Sequence, residues 1–355
     1  MGLIIADGFD DRWILNNGYG YGDYYDGWGL YDDLYHGDDY DHFGEYQGVR
    51  EMGRYGGWAM MLTDDDMSWN YCDIEFTLPS GKDWCGGIAI NSADEDGLAV
   101  SFSSATKGGP WIEFDPDGEV IVRRTKQFAS TSEIVVRSNA AARLTMWGWI
   151  YVTYEFHAGD IGADYIKVWV NGELVIDVSG TTLNFGGAIT GGGSPSGAGG
   201  ADDIWIKNNT DTILPEAVIL ALFPNAAGTD SECTPVGEVT NYLNVDEFEQ
   251  DFDSTYNLVD TGEKDSFNMD AITAQVSAGV VHALVARFFV KGDAGNALQL
   301  RPYVISGGTK YNGTAQAVVE GRYTYIQEIW DTNPDTASAW TMGEVDAVQI
   351  GYEAV

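Results

Sequence analysis

The chain has 355 residues, of which 44% are hydrophobic and 12 are Trp, so it can form two cores of ordinary domain size and is too apolar to be disordered. Its 18 basic and 55 acidic residues give a formal net charge of −37. A field of that sign repels nucleic-acid phosphate and anionic membrane surfaces, so we expect no nucleic-acid partner and no membrane. We interpret the charge as a solubilising surface; carboxylates clustered for calcium are the alternative.

Three cysteines, Cys72, Cys85 and Cys233, form an odd and sparse set. They predict neither a disulfide framework nor a zinc site, and they fit assembly in a reducing cytoplasm. The first 25 residues lack a basic start and an apolar core, so we expect no signal peptide. No apolar stretch approaches transmembrane length.

Residues 1–213 are predicted to form one β domain. The chain contains 45 Gly and only 9 Pro, which is typical of many short strands joined by tight turns. The candidate strands are 58–62, 69–78, 86–90, 98–102, 111–114, 119–123, 149–157, 165–170, 173–178 and 203–206. Many short strands without helical periodicity predict a sandwich or jelly roll.

Two hairpin turns stand out in this part of the chain. Residues 115–118 read Asp-Pro-Asp-Gly between two candidate strands. Asn171-Gly172 is a strong hairpin signal, because both residues tolerate the positive φ that a two-residue turn requires. The Gly-, Ser- and Pro-rich stretch 186–201 is predicted to be a flexible surface loop, with close approach by another chain as the alternative.

Residues 17–57, named here the arm, show neither helical nor strand periodicity. Aromatic residues in the arm alternate with Gly and Asp, and aromatic side chains are favoured at interfaces. We interpret the arm as ordering on a neighbouring subunit; a long loop folded on its own domain and a platform for stacking glycan remain open. The candidate contact residues are Tyr19, Tyr21, Tyr24, Tyr25, Trp28, Tyr31, Tyr35 and Tyr40.

A second, smaller antiparallel β-sandwich is predicted for residues 214–355, with its boundary near Pro215. Its candidate strands are 217–223, 266–269, 282–291, 298–306, 315–319, 323–330 and 345–354. The stretch 281–290 alternates in the manner of a half-buried antiparallel strand.

Several blocks of the sequence carry a resemblance to a known group. They are the opening LIIADGFDD, the stretches 168–180, 200–206 and 220–236, and the C-terminal stretch 306–355. In this order they resemble tailed-bacteriophage virion proteins with an N-terminal concanavalin A-like (laminin-G-like) domain and a C-terminal β-sandwich. The arm has no counterpart there. The resemblance implies an all-β fold: a concanavalin-like jelly-roll sandwich followed by the smaller sandwich.

The concanavalin-like fold also includes retaining glucanases whose active strand carries Glu-x-Asp-x-x-Glu, and Glu113, Asp115 and Glu119 nearly match that pattern. Acid and nucleophile must lie about 5 Å apart on one strand face. The intervening Pro-Asp-Gly favours a hairpin tip, so we expect no enzyme and no catalytic residues. His36, His42, His157 and His282 have no zinc-ligand spacing, and His157 and His282 are interpreted as structural.

Calcium is the single cofactor that the sequence leaves open. If the first and last strands lie side by side, as is common in this fold, Asp7 and Asp10 approach Asp202 and Asp203. Loop carboxylates suit calcium, but Asp also caps turns, and no twelve-residue calcium loop is present.

These observations predict a non-enzymatic structural component of a tailed-phage virion: an exposed accessory or decoration protein on the capsid or tail exterior. The expected partners are other virion proteins and further copies of this chain in a homo-oligomer. The first alternative is a glycan-binding host-adhesion protein of a tail fibre or spike, with a host surface glycan as partner. A glycoside hydrolase is the remote alternative.

Overall fold

A computed structural model describes residues 3–7, 48–50, 59–62, 74–92, 99–104, 108–114, 119–124, 133–138, 149–159, 162–185, 187–196, 199–208, 214, 216–246, 253–293 and 299–355. The chain divides into two compact units, with the boundary between Ile219 and Leu220. That boundary lies six residues after the one predicted from the sequence. The fold is all-β, as predicted, and every strand pair in the two units is antiparallel.

Unit 1 contains fourteen described strands. They are β1 (Leu3–Asp7), β2 (Gly48–Arg50), β3 (Ala59–Leu62), β4 (Ile74–Gly81), β5 (Asp83–Ser92), β6 (Ala99–Ser104), β7 (Gly108–Phe114), β8 (Val120–Arg124), β9 (Glu133–Arg137), β10 (Trp149–His157), β11 (Tyr165–Val170), β12 (Glu173–Ser179), β13 (Ile189–Ser196) and β14 (Gly199–Lys207). An eight-stranded sheet has the order β12-β11-β10-β5-β14-β3-β2, with β1 also paired to β14. A six-stranded sheet has the order β4-β13-β6-β7-β8-β9.

The two sheets of unit 1 enclose one apolar core. Alternate residues of β6, β7, β8 and β10 point into it, among them Phe102, Ile112, Val122 and Phe156. Phe102 meets Phe156 with ring centroids 4.8 Å apart. This packing is what period-two alternation on facing sheets predicts, and it confirms the jelly-roll sandwich.

The β11–β12 hairpin turns at Asn171 and Gly172, as predicted. Their φ angles are 48° and 81°, the left-handed values that this turn needs. The side chain of Asn171 also accepts a hydrogen bond from the backbone N–H of Tyr151 at 2.8 Å. The turn therefore anchors the hairpin to the neighbouring strand β10.

Strand β13 contradicts the prediction of a flexible loop over residues 186–201. Its run of Gly191, Gly192 and Gly193 pairs with β4 on one side and β6 on the other. Backbone hydrogen bonds to two neighbours define this strand, and side-chain propensity contributes nothing to it.

Unit 2 contains ten strands among its described residues. They are β15 (Pro224–Ser231), β16 (Thr234–Val236), β17 (Tyr256–Leu258), β18 (Lys264–Met269), β19 (Leu284–Lys291), β20 (Gln299–Ser306), β21 (Thr309–Asn312), β22 (Gln316–Ala317), β23 (Tyr323–Trp330) and β24 (Gln349–Ala354). The largest sheet has the order β15-β18-β24-β20-β21, with β22 also on β20, and β19 pairs with β23. Short helices α1 (Ile272–Gln275) and α2 (Met342–Asp346) and a 3₁₀ turn (Asn241–Asn244) complete the described elements.

The core of unit 2 lies between the large sheet and the β19–β23 pair. Ala286 packs with Val304 and Ile350, and Ile326 packs with Tyr352. The alternation predicted for the 281–290 stretch is confirmed, because Ala286, Phe288 and Val290 all belong to this packing.

Two strand predictions in unit 2 are wrong. Residues 217–223 form no strand; the strand begins at Pro224, where the small residues of β15 pair with β18. Val345 and Asp346, predicted as strand, belong to helix α2, which begins with a capping box of Thr341 and Glu344. That box is a local helix signal that outweighs the β-branched side chain of Val345.

Among the helices of the described residues, none is both long and apolar enough to cross a membrane.

Candidate functional site

The outer face of the six-stranded sheet in unit 1 carries the candidate site. In strand β7, Ile112 and Phe114 point into the core, and in strand β8, Val120 and Val122 do. The residues that alternate with them therefore lie on the opposite face of the sheet. Those residues are Trp111 and Glu113 of β7, and Ile121 and Arg123 of β8.

An arginine–carboxylate fork forms the centre of this face. The Arg123 guanidinium contacts both carboxylate oxygens of Glu113: Nε donates to Oε2, and Nη2 donates to Oε1 at 3.0 Å. The two side chains are 23% and 21% exposed. A two-pronged contact of this kind holds both groups in one plane and one orientation.

Trp111 lies directly opposite Arg123 in the β7–β8 register. Its indole Nε1 is buried, and none of the described residues offers it a hydrogen-bond acceptor. A buried donor without an acceptor costs about 1–3 kcal/mol. An ordered water or a ligand oxygen at this edge of the ring would remove that cost.

A second ion pair extends the charged surface. Glu119 immediately precedes β8, and its carboxylate accepts from Nη1 of Arg137 in β9 at 2.8 Å. Ile121 separates the two ion pairs, since its register partners are Glu113 on one side and Arg137 on the other. On the far side of β6, strand β13 presents its three glycines. The face thus combines one indole and two ion pairs around Ile121, which is 0% exposed.

The near-match to a glucanase strand falls on this hairpin. Phe114 pairs with Val120, so Glu113 lies on β7 and Glu119 lies beyond the turn, next to β8. The predicted hairpin is confirmed by this pairing. Asp115 and the rest of the turn lie outside the described residues.

The predicted calcium ligands are only partly described. Strands β1 and β14 do lie side by side, with Asp7 opposite Ile204. Asp203 sits at a bulge with a φ of 50°, is 1% exposed, and its Oδ1 accepts from the backbone N–H of Ile219 at 2.7 Å. This carboxylate therefore holds the end of the unit in place. Strand β14 includes Asp202, and Asp10 lies outside the described residues. Among the residues that the structure describes, no three His, Cys, Asp or Glu side chains are grouped to hold a metal ion.

Most of the arm lies outside the described residues, which include only β2 between positions 17 and 57. The undescribed part includes all eight candidate contact residues: Tyr19, Tyr21, Tyr24, Tyr25, Trp28, Tyr31, Tyr35 and Tyr40. Strand β2 pairs with β3, so residues Gly48–Arg50 of the arm belong to the sheet of their own unit.

Two residue types singled out in the sequence have structural roles. His157 at the end of β10 contacts Asp83 through Nδ1 at 2.7 Å and stacks on Tyr165. Cys85 and Cys233 are both buried. Burial raises the pKa of Cys233, which makes its thiolate, the reactive form, scarce.

Unit 2 contains a depression that was not predicted from the sequence. It has a volume of about 460 Å³ and lies on the outer face of the large sheet. Its lining residues are Thr229, Asp230, Lys264, Ile305, Gly308, Lys310, Ala347 and Gln349. They come from positions more than 100 residues apart, so no local sequence signal could have found them.

No family model matches the sequence, and no curated protein matches it. The structure is similar to a Trichoderma reesei endo-beta-1,4-glucuronan lyase at 12% identity, over 48% of this chain and 93% of that one, with a TM-score of 0.33. It is similar to the Caenorhabditis elegans galectin LEC-6 at 12% identity, over 39% and 92%, with a TM-score of 0.28. It is similar to the Ruminococcus gnavus IT-sialidase CBM40 at 14% identity, over 39% and 80%, with a TM-score of 0.26.

Proposed function

We propose that this chain is a non-enzymatic glycan-binding protein and that the outer face of the six-stranded sheet in unit 1 is its binding surface. The observation that carries the proposal is the indole of Trp111 set directly opposite Arg123, whose guanidinium is fixed by Glu113.

The chemistry of these groups suits a sugar. A pyranose ring has apolar C–H faces and a rim of hydroxyl groups. The indole of Trp111 provides apolar contact area, while its Nε1 is buried at the edge of the ring. The guanidinium and carboxylate provide donors and acceptors held at a fixed spacing, and hydrogen bonds to charged groups are the stronger ones. A few oriented polar groups beside an aromatic surface are typical of ligand sites.

Binding without cleavage is part of the proposal. In a retaining glycosidase one carboxyl group must donate a proton while a second attacks the sugar. Here Arg123 engages both oxygens of Glu113, and Arg137 engages Glu119. Polysaccharide cleavage that is lost on Glu113→Gln would contradict this part of the proposal.

A glycan-array screen of the full chain tests the binding function. Trp111→Ala and Arg123→Gln should each abolish binding of any glycan that the native chain retains. The matched control is Trp169→Ala, because Trp169 is also a half-buried tryptophan between core residues but lies on the eight-stranded sheet. Absence of any bound glycan, or equal binding by the Trp111→Ala variant, would refute the proposal.

We further propose that this binding surface belongs to an exposed accessory of a tailed-phage virion. The support is the order of the sequence blocks that resemble such proteins, together with the net charge of −37, which makes a position facing packaged DNA unfavourable. An antibody to the chain should label intact particles. Labelling only after the particles are broken open would place the protein inside and contradict the proposal.

A further inference from the structure

The depression on unit 2 is built on a fixed floor. Strand β20 places Tyr303 on the outer face, yet this side chain is 0% exposed. Its ring lies over Gly351 of β24, where a Cβ atom would overlap it. Its hydroxyl contacts Oδ2 of Asp230 and the backbone oxygen of Asp265, both at 2.8 Å. The ring and Asp230 are thereby held in one arrangement.

Hydrogen bonds also fix the polar side of the depression. The Oε1 of Gln349 accepts from the backbone N–H of Thr229 at 2.8 Å and from the hydroxyl of Ser266 at 3.2 Å. That oxygen is therefore used within the sheet, and the amide NH₂ group is the donor that Gln349 can offer to a ligand. Gly228 permits this close packing, because a Cβ there would overlap Ser266 and Gln349.

Two lysines supply positive charge. Nζ of Lys310 lies 3.9 Å from the centre of the Tyr303 ring and 2.8 Å from Oε2 of Glu353. Nζ of Lys264 lies 3.4 Å from Asp230 and 3.8 Å from Glu232. These two distances exceed the optimum for a charged hydrogen bond, so the Lys264 ammonium has donor capacity for a ligand anion.

The placement of cations is uneven across this acidic unit. From Leu220 to Val355 the sequence contains 20 acidic residues and six basic ones. Two of the six line the depression, and Arg301, in register with Glu353, is a third on the same sheet. The lining itself holds two ammonium groups and one carboxylate, Asp230. The carboxylates of Glu232 and Glu353 pair with these two lysines from outside the lining, so the lysines are the cations that the depression offers to a ligand.

A ligand that uses all of these groups must meet three requirements. It needs an anionic group for the two lysines and several hydroxyl groups for Asp230, Thr229 and Gln349. It also needs a compact frame with an apolar side for Ile305 and Ala347. The volume of about 460 Å³ lies within the range of small-molecule sites.

We infer that the depression is a binding site for an acidic sugar, specifically a hexuronic acid unit. The sugar carboxylate lies between the ammonium groups of Lys264 and Lys310, and its ring hydroxyls bond to Asp230, Thr229 and Gln349. Ile305 and Ala347 contact its apolar side. This site is separate from the face proposed in unit 1, and neither depends on the other.

The test compares uronates with their neutral parents on the full chain. Saturation-transfer NMR should show contact with D-glucuronate and D-galacturonate at millimolar concentration and none with D-glucose or D-galactose. Failure of both uronates to bind, or equal binding of the neutral sugars, would overturn the inference. This comparison needs no variant.

Variants then place the site. Lys264→Gln should weaken uronate binding about 10-fold or more, since it removes a charge-assisted contact. The matched control is Lys291→Gln, because Lys264 and Lys291 are both 30% exposed and paired with Asp, while Lys291 lies on the other sheet. The control and Trp111→Ala should both retain native affinity. Undiminished uronate binding by Lys264→Gln, or an equal loss of uronate binding in Lys291→Gln, would refute the site. A loss of glycan-array signal with uronate binding intact would concern only the proposed face of unit 1.

Discussion

Replacing Gly351 by Ala tests how the floor of the unit 2 depression is built. The added methyl group would overlap the Tyr303 ring and the carbonyl oxygen of Asp265. The backbone oxygen belongs to the paired strand β18 and cannot move far. The Tyr303 ring must therefore leave the sheet surface.

The cost follows from what Tyr303 loses. Exposing a large side chain that is 0% exposed in the native protein costs about 1.5–3 kcal/mol. Its hydroxyl has one proton, shared between the acceptors Asp230 Oδ2 and the backbone oxygen of Asp265, and this hydrogen bond contributes about 0.5–1.5 kcal/mol. We therefore expect Gly351→Ala to lower the free energy of unfolding of unit 2 by about 2–4 kcal/mol.

Urea denaturation measures this change, and hydrogen exchange followed by mass spectrometry locates it in peptides from β20 and β24. Gly343→Ala is the matched control, because Gly343 lies in helix α2 with no atom within 4 Å of an added Cβ. That control should be neutral or stabilising by about 0.5–1 kcal/mol. A loss below about 1 kcal/mol in Gly351→Ala would show that Tyr303 is not packed on this glycine.

Three further predictions concern other parts of the chain. Asn171→Ala should destabilise unit 1 by about 1–2 kcal/mol, because Ala tolerates the φ of 48° at this position poorly and loses the hydrogen bond to Tyr151. Thermal unfolding should show a smaller loss of stability for Asn171→Gly. Equal losses in the two variants would contradict the turn argument. Lys310 lowers the pKa of Glu353 below its ordinary value of 4.5, so this pair stabilises unit 2 above pH 4.5 and the stabilisation is lost as the pH falls through the lowered value. Urea titrations across that range should give a flatter pH dependence for Glu353→Gln, and an unchanged slope would exclude the pair as its cause. Deleting residues 17–47, which leaves β2 in place, should abolish incorporation into particles while unit 2 stays folded; normal incorporation would contradict the arm hypothesis.

Local patterns predicted much of the strand content. Residues 149–157, 165–170 and 323–330 form strands with the predicted bounds, because each has β-branched and aromatic residues in alternation. The Asn171-Gly172 turn was likewise predictable, since its backbone angles are a property of those two residues. The carboxylates Glu113 and Glu119 could be assigned to opposite sides of a turn for the same reason.

Predictions failed where neighbours outweigh local preference. Strand β13 has three glycines, and β15 reads PNAAGTDS. Both are strands because adjacent strands satisfy their backbone N–H and C=O groups, and a sequence pattern does not contain that information. The prediction for Val345 was wrong in the opposite way. It was predicted to be in a strand, but the capping box at Thr341 starts a helix that includes it.

The sequence by itself determined the fold class, the hairpin turns and the acidic character of the chain, because these depend on composition and on residues a few positions apart. The candidate sites were decided by tertiary structure alone. Trp111 meets Arg123 through strand register, and the unit 2 depression joins Thr229 to Gln349 across 120 residues. Such groups converge only when long-range strand pairing brings distant backbone segments side by side, and the pairing depends on the whole sheet rather than on any one segment.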